Sequence, residues 1–249
     1  MSGHSKWAQI KRKKSKTDAQ RGKLFTRLIR EIAVAARLGG GDPDSNSRLK
    51  SAIGHARASN MPMDNIERAI KRGTGELPGV HYEEVQYEGY GQAGVAVIVD
   101  VMTDNRNRTT SELRHIFTKH GGSLGTPGCV GWMFEIKGVI EVPKAKIDED
   151  TLIAVGLEAG CEDVRSGDGN YELICQPDTF ESAKNELASK QIEWEHAEIQ
   201  KVPKNLVKVE RKQALQLLKL VEALEEQDDV QGVYSNFDIH DELIAEISE

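Results

Sequence analysis

The stretch from Gly138 to Gln200 constrains the fold more than any other part of this chain. It reads as a strand (138–142), a helix (148–160), a hairpin (162–175, turning at 167–170), a second helix (177–190) and a last strand (192–200). Gly160 closes the first helix and Pro177 opens the second. The order β-α-β-β-α-β is that of the split ferredoxin-like unit, which needs only about 65 residues. Residues 137–202 are therefore expected to form a complete ferredoxin-like domain.

The flanks are incomplete without each other. Before residue 137 come strand patterns at 82–89 and 94–102, a helix at 105–119, a glycine-rich turn at 121–128 and the strand "CVGWMFEI". After residue 202 come a long amphipathic helix, read from Pro203 to Asp229, and the strand "VQGVYSNFDI". Together residues 80–136 and 203–249 make one α/β domain, with the ferredoxin-like domain inserted into it.

Residues 1–75 differ in kind. The first helix starts near Thr17 or Asp18 and stops at Gly39, with Thr17 and Gln20 spaced as a capping box. A second helix covers about 45–58, with Asp44 or Ser45 as its cap and Leu49, Ala52, Ile53 and Ala56 inward. A third covers "NMPMDNIERAIKRG", with Pro62 in its first turn, Ile66 and Ile70 inward, a Glu67–Lys71 pair, and Gly73 as the stop. The fold class is α+β: a three-helix domain followed by two α/β domains.

Charge follows the same division. Residues 1–75 hold 17 Lys and Arg against 6 Asp and Glu, in a chain whose formal net charge is -7. Such asymmetry points to a basic module that faces nucleic acid, joined to acidic domains. The arm, residues 2–16, carries Lys6, Trp7, Lys11, Arg12, Lys13, Lys14 and Lys16. Each phosphate that such a run neutralises releases a counterion; the bland alternative is a solvated tail. Trp7 either stacks on an unpaired base or staples the arm to the helices. On the first helix Arg21 continues the arm. At 100° per residue, Lys23, Arg27, Arg30 and Arg37 fall opposite the apolar arc of Phe25, Leu28, Ile29, Ile32 and Ala36. They are expected to face solvent and to extend the arm's surface.

Other motifs carry less. Arg106 and Arg108 open a helix, where backbone N–H groups attract anions; capping and local ion pairing explain them equally. "GYGQAG" (Gly89–Gly94) matches a dinucleotide fingerprint in spelling but precedes a strand, so a hairpin turn is expected. Cys129, Cys161 and Cys175 lack metal or disulfide spacing and are read as free thiols. No catalytic signature occurs, and no metal or cofactor is implied. No apolar run reaches the roughly 20 residues of a membrane span, and no apolar leader follows the N-terminal charges. A cytoplasmic monomer without membrane contact is expected.

The chain closely resembles the YebC family of bacterial proteins, whose mitochondrial relatives activate translation. The resemblance is carried by "GHSKW" (Gly3–Trp7), "DPDSN" (Asp42–Asn46), "NMPMDNIERAIKRG" (Asn60–Gly73), "YEGYGQAGVAVIV" (Tyr87–Val99), "TDNRNRT" (Thr103–Thr109) and "VGWMFE" (Val130–Glu135). It implies three domains, the third inserted into the second, and a non-enzymatic regulator of gene expression that binds DNA. Ribosome-associated relatives imply an alternative, contact with rRNA or tRNA. An enzyme site in an interdomain cleft is a weaker alternative. The family supplies no catalytic residues to carry over.

Overall fold

A computed structural model describes residues 18–167 and 169–239, with side chains from Arg21 onward. The basic arm lies outside the described residues, as does Thr17 of the expected capping box. The described chain divides into two compact units: residues 18–129 with 212–233, and residues 130–211 with those from Tyr234 on.

The first unit opens with three helices, α1 (Asp18–Gly39), α2 (Ser47–Ala58) and α3 (Met63–Gly73). Ile32, Leu49, Ala52, Ala56 and Ile66 are buried among them. The cap of α2 is Asn46, not Asp44 or Ser45. Its Oδ1 accepts from Leu49 N at 3.0 Å, while its Nδ2 donates to the carbonyls of Ala35 and Gly40 at 2.8 Å. One buried amide thus starts α2 and holds the end of α1. Gly73 does more than end α3. A Cβ there would sit 2.4 Å from the Ala33 carbonyl oxygen, so its absence lets α3 close on α1. The ion pair on α3 is Arg68–Asp64, rather than Glu67–Lys71.

The same unit continues with β1 (Glu83–Tyr90), β2 (Ala96–Thr103), α4 (Arg106–Lys119) and β3 (Ser123–Leu124). The segment 91–95 is a hairpin turn as expected, with Ala93 and Gly94 at φ of 58° and 72°. Along β2, Ala96 to Val99 are all fully or almost fully buried, so this strand runs through the core. The strand order is β3-β1-β2-β9, where β9 is Val230–Ser235.

The second unit holds β4 (Phe134–Pro143), α5 (Glu149–Glu158), β5 (Asp163–Ser166), β6 (Asn170–Cys175), α6 (Phe180–Ser189) and β7 (His196–Pro203). Its sheet order is β5-β6-β4-β7, every neighbour antiparallel. This is the ferredoxin-like arrangement. Ile140, Val142, Leu152, Leu173, Phe180 and Leu187 fill the space between sheet and helices. The strands read separately at 129–136 and 138–142 are one strand, β4, preceded by a short turn at Gly131–Met133. Gly138 does not break it. A Cβ there would lie 2.5 Å from Phe180 Cδ2 and 2.7 Å from Cys175 Sγ, so the glycine makes room for α6.

The helix expected from residue 203 starts later. Val207–Lys208 (β8) pairs in parallel with Phe237–Asp238 (β10), and the helix α7 spans Arg211–Glu226. Pro203 is the last residue of β7, and the backbone of Val207 and Val209 is bonded to Asn236 and Asp238, which leaves none of it to a helix. Among the described residues no helix is long and apolar enough to cross a membrane.

Candidate nucleic-acid interface

The basic face of α1 splits in two. Lys23, Arg27 and Arg30 are one helical turn apart, and all three reach the end of α7. Lys23 Nζ donates to the Glu226 carbonyl at 3.2 Å, Arg27 Nη2 to the Glu225 carbonyl, and Arg30 Nη1 to the Asp228 carbonyl. The last carbonyls of a helix have no partner within it and carry the negative end of its dipole. Cations are the natural cap there. The expectation that this stripe faces solvent is therefore corrected at Arg27 and Arg30, which are half-buried. Burial lowers the Arg27 guanidinium from its ordinary value, against the attraction of Glu225 and Asp228.

Arg30 also meets the carboxylate of Asp229, at 3.0 Å. Asp229 is 1% exposed. Its other oxygen accepts from Arg108 Nη2 and Thr109 Oγ1, both at 2.7 Å, and from Thr103 Oγ1 at 3.1 Å. Burial alone would raise this carboxyl. The bonds from Thr109, Arg108 and Thr103, with the charge of Arg30, outweigh it and hold the group below its usual value. Asp229 thus ties α1, β2 and α4 to the turn after α7.

The start of α4, where an anion site was one of two readings, meets acids of the protein itself. Arg108 is spent on Asp229 and on Asp104, at 2.8 Å, which hold its guanidinium above its ordinary value. Asn105 Oδ1 caps the helix by accepting from Arg108 N at 3.1 Å. Capping and local pairing, the alternative given at the outset, are what this helix end displays. Arg106 is exposed.

The other half of the α1 face stays accessible. Arg21 and Arg37 are exposed, as are Lys50 and Arg57 on α2 and Arg68, Lys71 and Arg72 on α3. Arg37 Nη1 donates to His81 Nδ1 at 2.9 Å. Arg48, by contrast, is locked between Glu31 and Glu84, and its bond to Glu84 lowers that carboxyl. Beside Arg37 a cleft of about 290 Å³ opens between α1, the end of α3 and the glycine-rich segment 73–82. It is lined by Arg37, Arg72, His81 and Tyr82, none of which but Arg37 was singled out in sequence. Two cations at 71–72 next to "GTGELPG" were the available signal.

The three cysteines lie in the two units as free thiols, Cys129 half-buried and Cys161 and Cys175 buried. Cys161 and Cys175 belong to the ferredoxin-like core.

Comparison with known proteins bears on the whole chain. Residues 5–76 match the TACO1/YebC protein N-terminal domain, and residues 82–237 match the TACO1/YebC second and third domain. A protein of Persephonella marina is 56% identical over 250 residues, covering 100% of both chains. One of Desulfatibacillum aliphaticivorans is 55% identical over 246 residues, 99% of this chain and 100% of that one. Each is named "Probable transcriptional regulatory protein". The crystal structure of a conserved hypothetical protein from Aquifex aeolicus superposes with a TM-score of 0.82 at 51% identity, over 91% of this chain and 93% of that one. On both family matches and on relatives of this closeness, the chain belongs to the TACO1/YebC family.

Proposed function

We propose that the chain is a non-enzymatic, cytoplasmic regulator of gene expression that binds nucleic acid through its basic N-terminal region. One observation carries this reading: the excess of cations in residues 1–75 is only partly consumed by the fold. Arg27, Arg30 and Arg48 are held within the protein, while Arg37, Lys50, Arg57, Arg68, Lys71 and Arg72 remain exposed. The relatives' printed name favours transcription, and so duplex DNA as ligand. A second reading, contact with rRNA or tRNA, has an observation of its own. The exposed cations are spread over three helices, an arrangement suited to backbone and shape recognition and not to base readout from one helix.

The test is a parallel titration of duplex DNA, single-stranded RNA and intact ribosomes over a salt series. Replacing Lys11, Arg12, Lys13 and Lys14 with Gln should flatten the slope of log K against log salt. Each lost contact should remove roughly 0.9 from the slope for duplex DNA or 0.7 for single strands. The ligand that loses most affinity is the physiological one. Equal binding and unchanged slopes with all three would defeat the proposal.

A further inference from the structure

The cleft beside α1 has a chemistry of its own. Its lining holds Arg37, Arg72 and His81, but no Asp or Glu. The guanidinium of Arg72 meets no acid among the described residues. Glu84, whose carboxyl feels the charge of Arg37, is already bonded to Arg48. An arginine can only donate, so in the Arg37–His81 bond Nδ1 is the acceptor and the ring's N–H is on Nε2. Arg37, Arg72 and the His81 ring N–H therefore offer donors, which suits an anion.

A bare anion would leave half of the lining unexplained. Leu77 and Val80 are 38% and 57% exposed at the cleft, and Tyr82 lines it with an aromatic ring. Arg30 lies over that ring, 5.2 Å from its centroid, which fixes its position. Two accessible cations beside an aromatic and aliphatic wall match a ligand with a negative end and a flat apolar body. The volume, about 290 Å³, is at the small end of the roughly 300–1,000 Å³ of ligand sites.

We infer that this cleft takes one unpaired nucleotide of a single-stranded nucleic acid, its phosphate on Arg37 and Arg72 and its base against Tyr82 and Val80. The inference rests on the nucleic-acid-binding reading above and narrows it. It assigns to Arg72 and Tyr82 a role that the arm's charge does not require. Stacking on an aromatic side chain tolerates any base, so the site selects for an unpaired strand, not for a sequence.

The probe is a ten-residue ribouridine strand containing 5-iodouridine, photo-crosslinked to the full chain, with uridine 5′-monophosphate as competitor. Crosslinks should map to 72–82. Arg72→Gln and Arg37→Gln should each weaken strand binding roughly tenfold at low salt, and Arg72→Glu more, with unchanged thermal midpoints. Duplex of the same length should lose clearly less affinity than the single strand from these changes. If the arm-to-Gln protein loses affinity but crosslinks never fall in 72–82 and Arg72→Gln binds like the parent, the cleft assignment is wrong and the broader function stands. If the parent binds no nucleic acid, both fail. If the monophosphate displaces the strand's crosslinks to 72–82 at concentrations where the strand's overall affinity is untouched, the site belongs to a free nucleotide and the single-strand assignment is overturned.

Discussion

In residues 130–211 the core is a sheet against two helices, with Ile140, Val142, Leu173 and Leu187 fully buried within one stretch of chain. Its ion pairs lie toward the surface, as in Lys146–Glu193 and Lys184–Glu181, although Glu141 and Glu172 are buried in the sheet. In residues 18–79 the core lies among three helices and holds more alanine than leucine, and the helices reach outside the segment for support. Their cations grip the last carbonyls of α7, about 200 residues away in sequence, and a buried carboxylate beyond it. The first region closes on apolar packing from its own sequence. The second is completed by charge. A region rich in cations for an external ligand can use a few of them as structural clamps, at the cost of depending on acids supplied by distant segments.

That contrast can be broken first at Asp229. Asp229→Ala should cost about 3 kcal/mol, because it strands Arg30 near a buried site and removes the acceptor of Thr109 and Thr103. Hydrogen exchange on the full chain should show the loss: amides of α1 and α4 gain exchange while those of β4 and β6 do not. Acid should act in the same direction. The folded carboxyl titrates below the ordinary Asp value of about 3.9. Its contribution is therefore complete above about pH 4 and lost as pH falls through its depressed value. An Asp229→Asn protein should lack this part of the acid sensitivity. If α1 and the β4–β7 sheet lose protection together in Asp229→Ala, the two regions are not separately stabilised and the comparison is wrong.

The converse substitution is Gly138→Val. A branched side chain would be forced against Phe180 and Cys175, an overpacking that costs about 1–3 kcal/mol. Exchange should rise in β4, β6 and α6 and stay unchanged in α1–α3. Asn46→Ala should have a smaller effect, about 1–2 kcal/mol, confined to α2 and the end of α1, from a lost cap and two unpaired carbonyls. Thermal midpoints and exchange on the two variants check both.

These particular residues mark what sequence pattern can convey. The β-α-β-β-α-β order was legible because each element carries its own periodicity and its own glycine or proline boundary. The buried faces of α2 were legible for the same reason: Leu49, Ala52, Ile53 and Ala56 repeat at helical spacing. β4 was read as two strands, the second starting at Gly138, because a glycine that makes space for Phe180 shows in one dimension only as a gap in the apolar pattern. Arg27 and Arg30 were misread because the helical wheel places them away from the apolar arc of α1, and nothing local reveals that carbonyls of Glu225 and Asp228 lie there. The cleft at Arg72 left only a weak trace, two cations before a glycine-rich segment, since it exists only where that segment folds back over α1. Local order is written in local sequence; clamps and clefts are made by segments far apart.

The smallest expected effect sharpens the comparison most directly, because it separates structural cations from ligand-facing ones on the same three helices. Arg57→Gln and Lys71→Gln change exposed side chains for which no ion pair links them to the rest of the described fold. Surface substitutions of this kind shift stability by about 0.5 kcal/mol or less. Arg27→Gln should behave otherwise. It removes a donor from the end of α7 and leaves the Glu225 carbonyl with one fewer partner in a half-buried place, which should cost about 1 kcal/mol or more. Binding should rank the three in the opposite order. At matched temperature well below the midpoint, Arg57→Gln and Lys71→Gln should each reduce the salt slope by up to about 0.9 on duplex or 0.7 on single strands, while Arg27→Gln leaves it unaltered. Denaturation midpoints and salt-dependent titrations on the same three proteins provide both readings. Should Arg27→Gln flatten the slope as much as the exposed pair, its guanidinium would be leaving α7 to meet phosphate, and the clamp would be a contact that the ligand displaces.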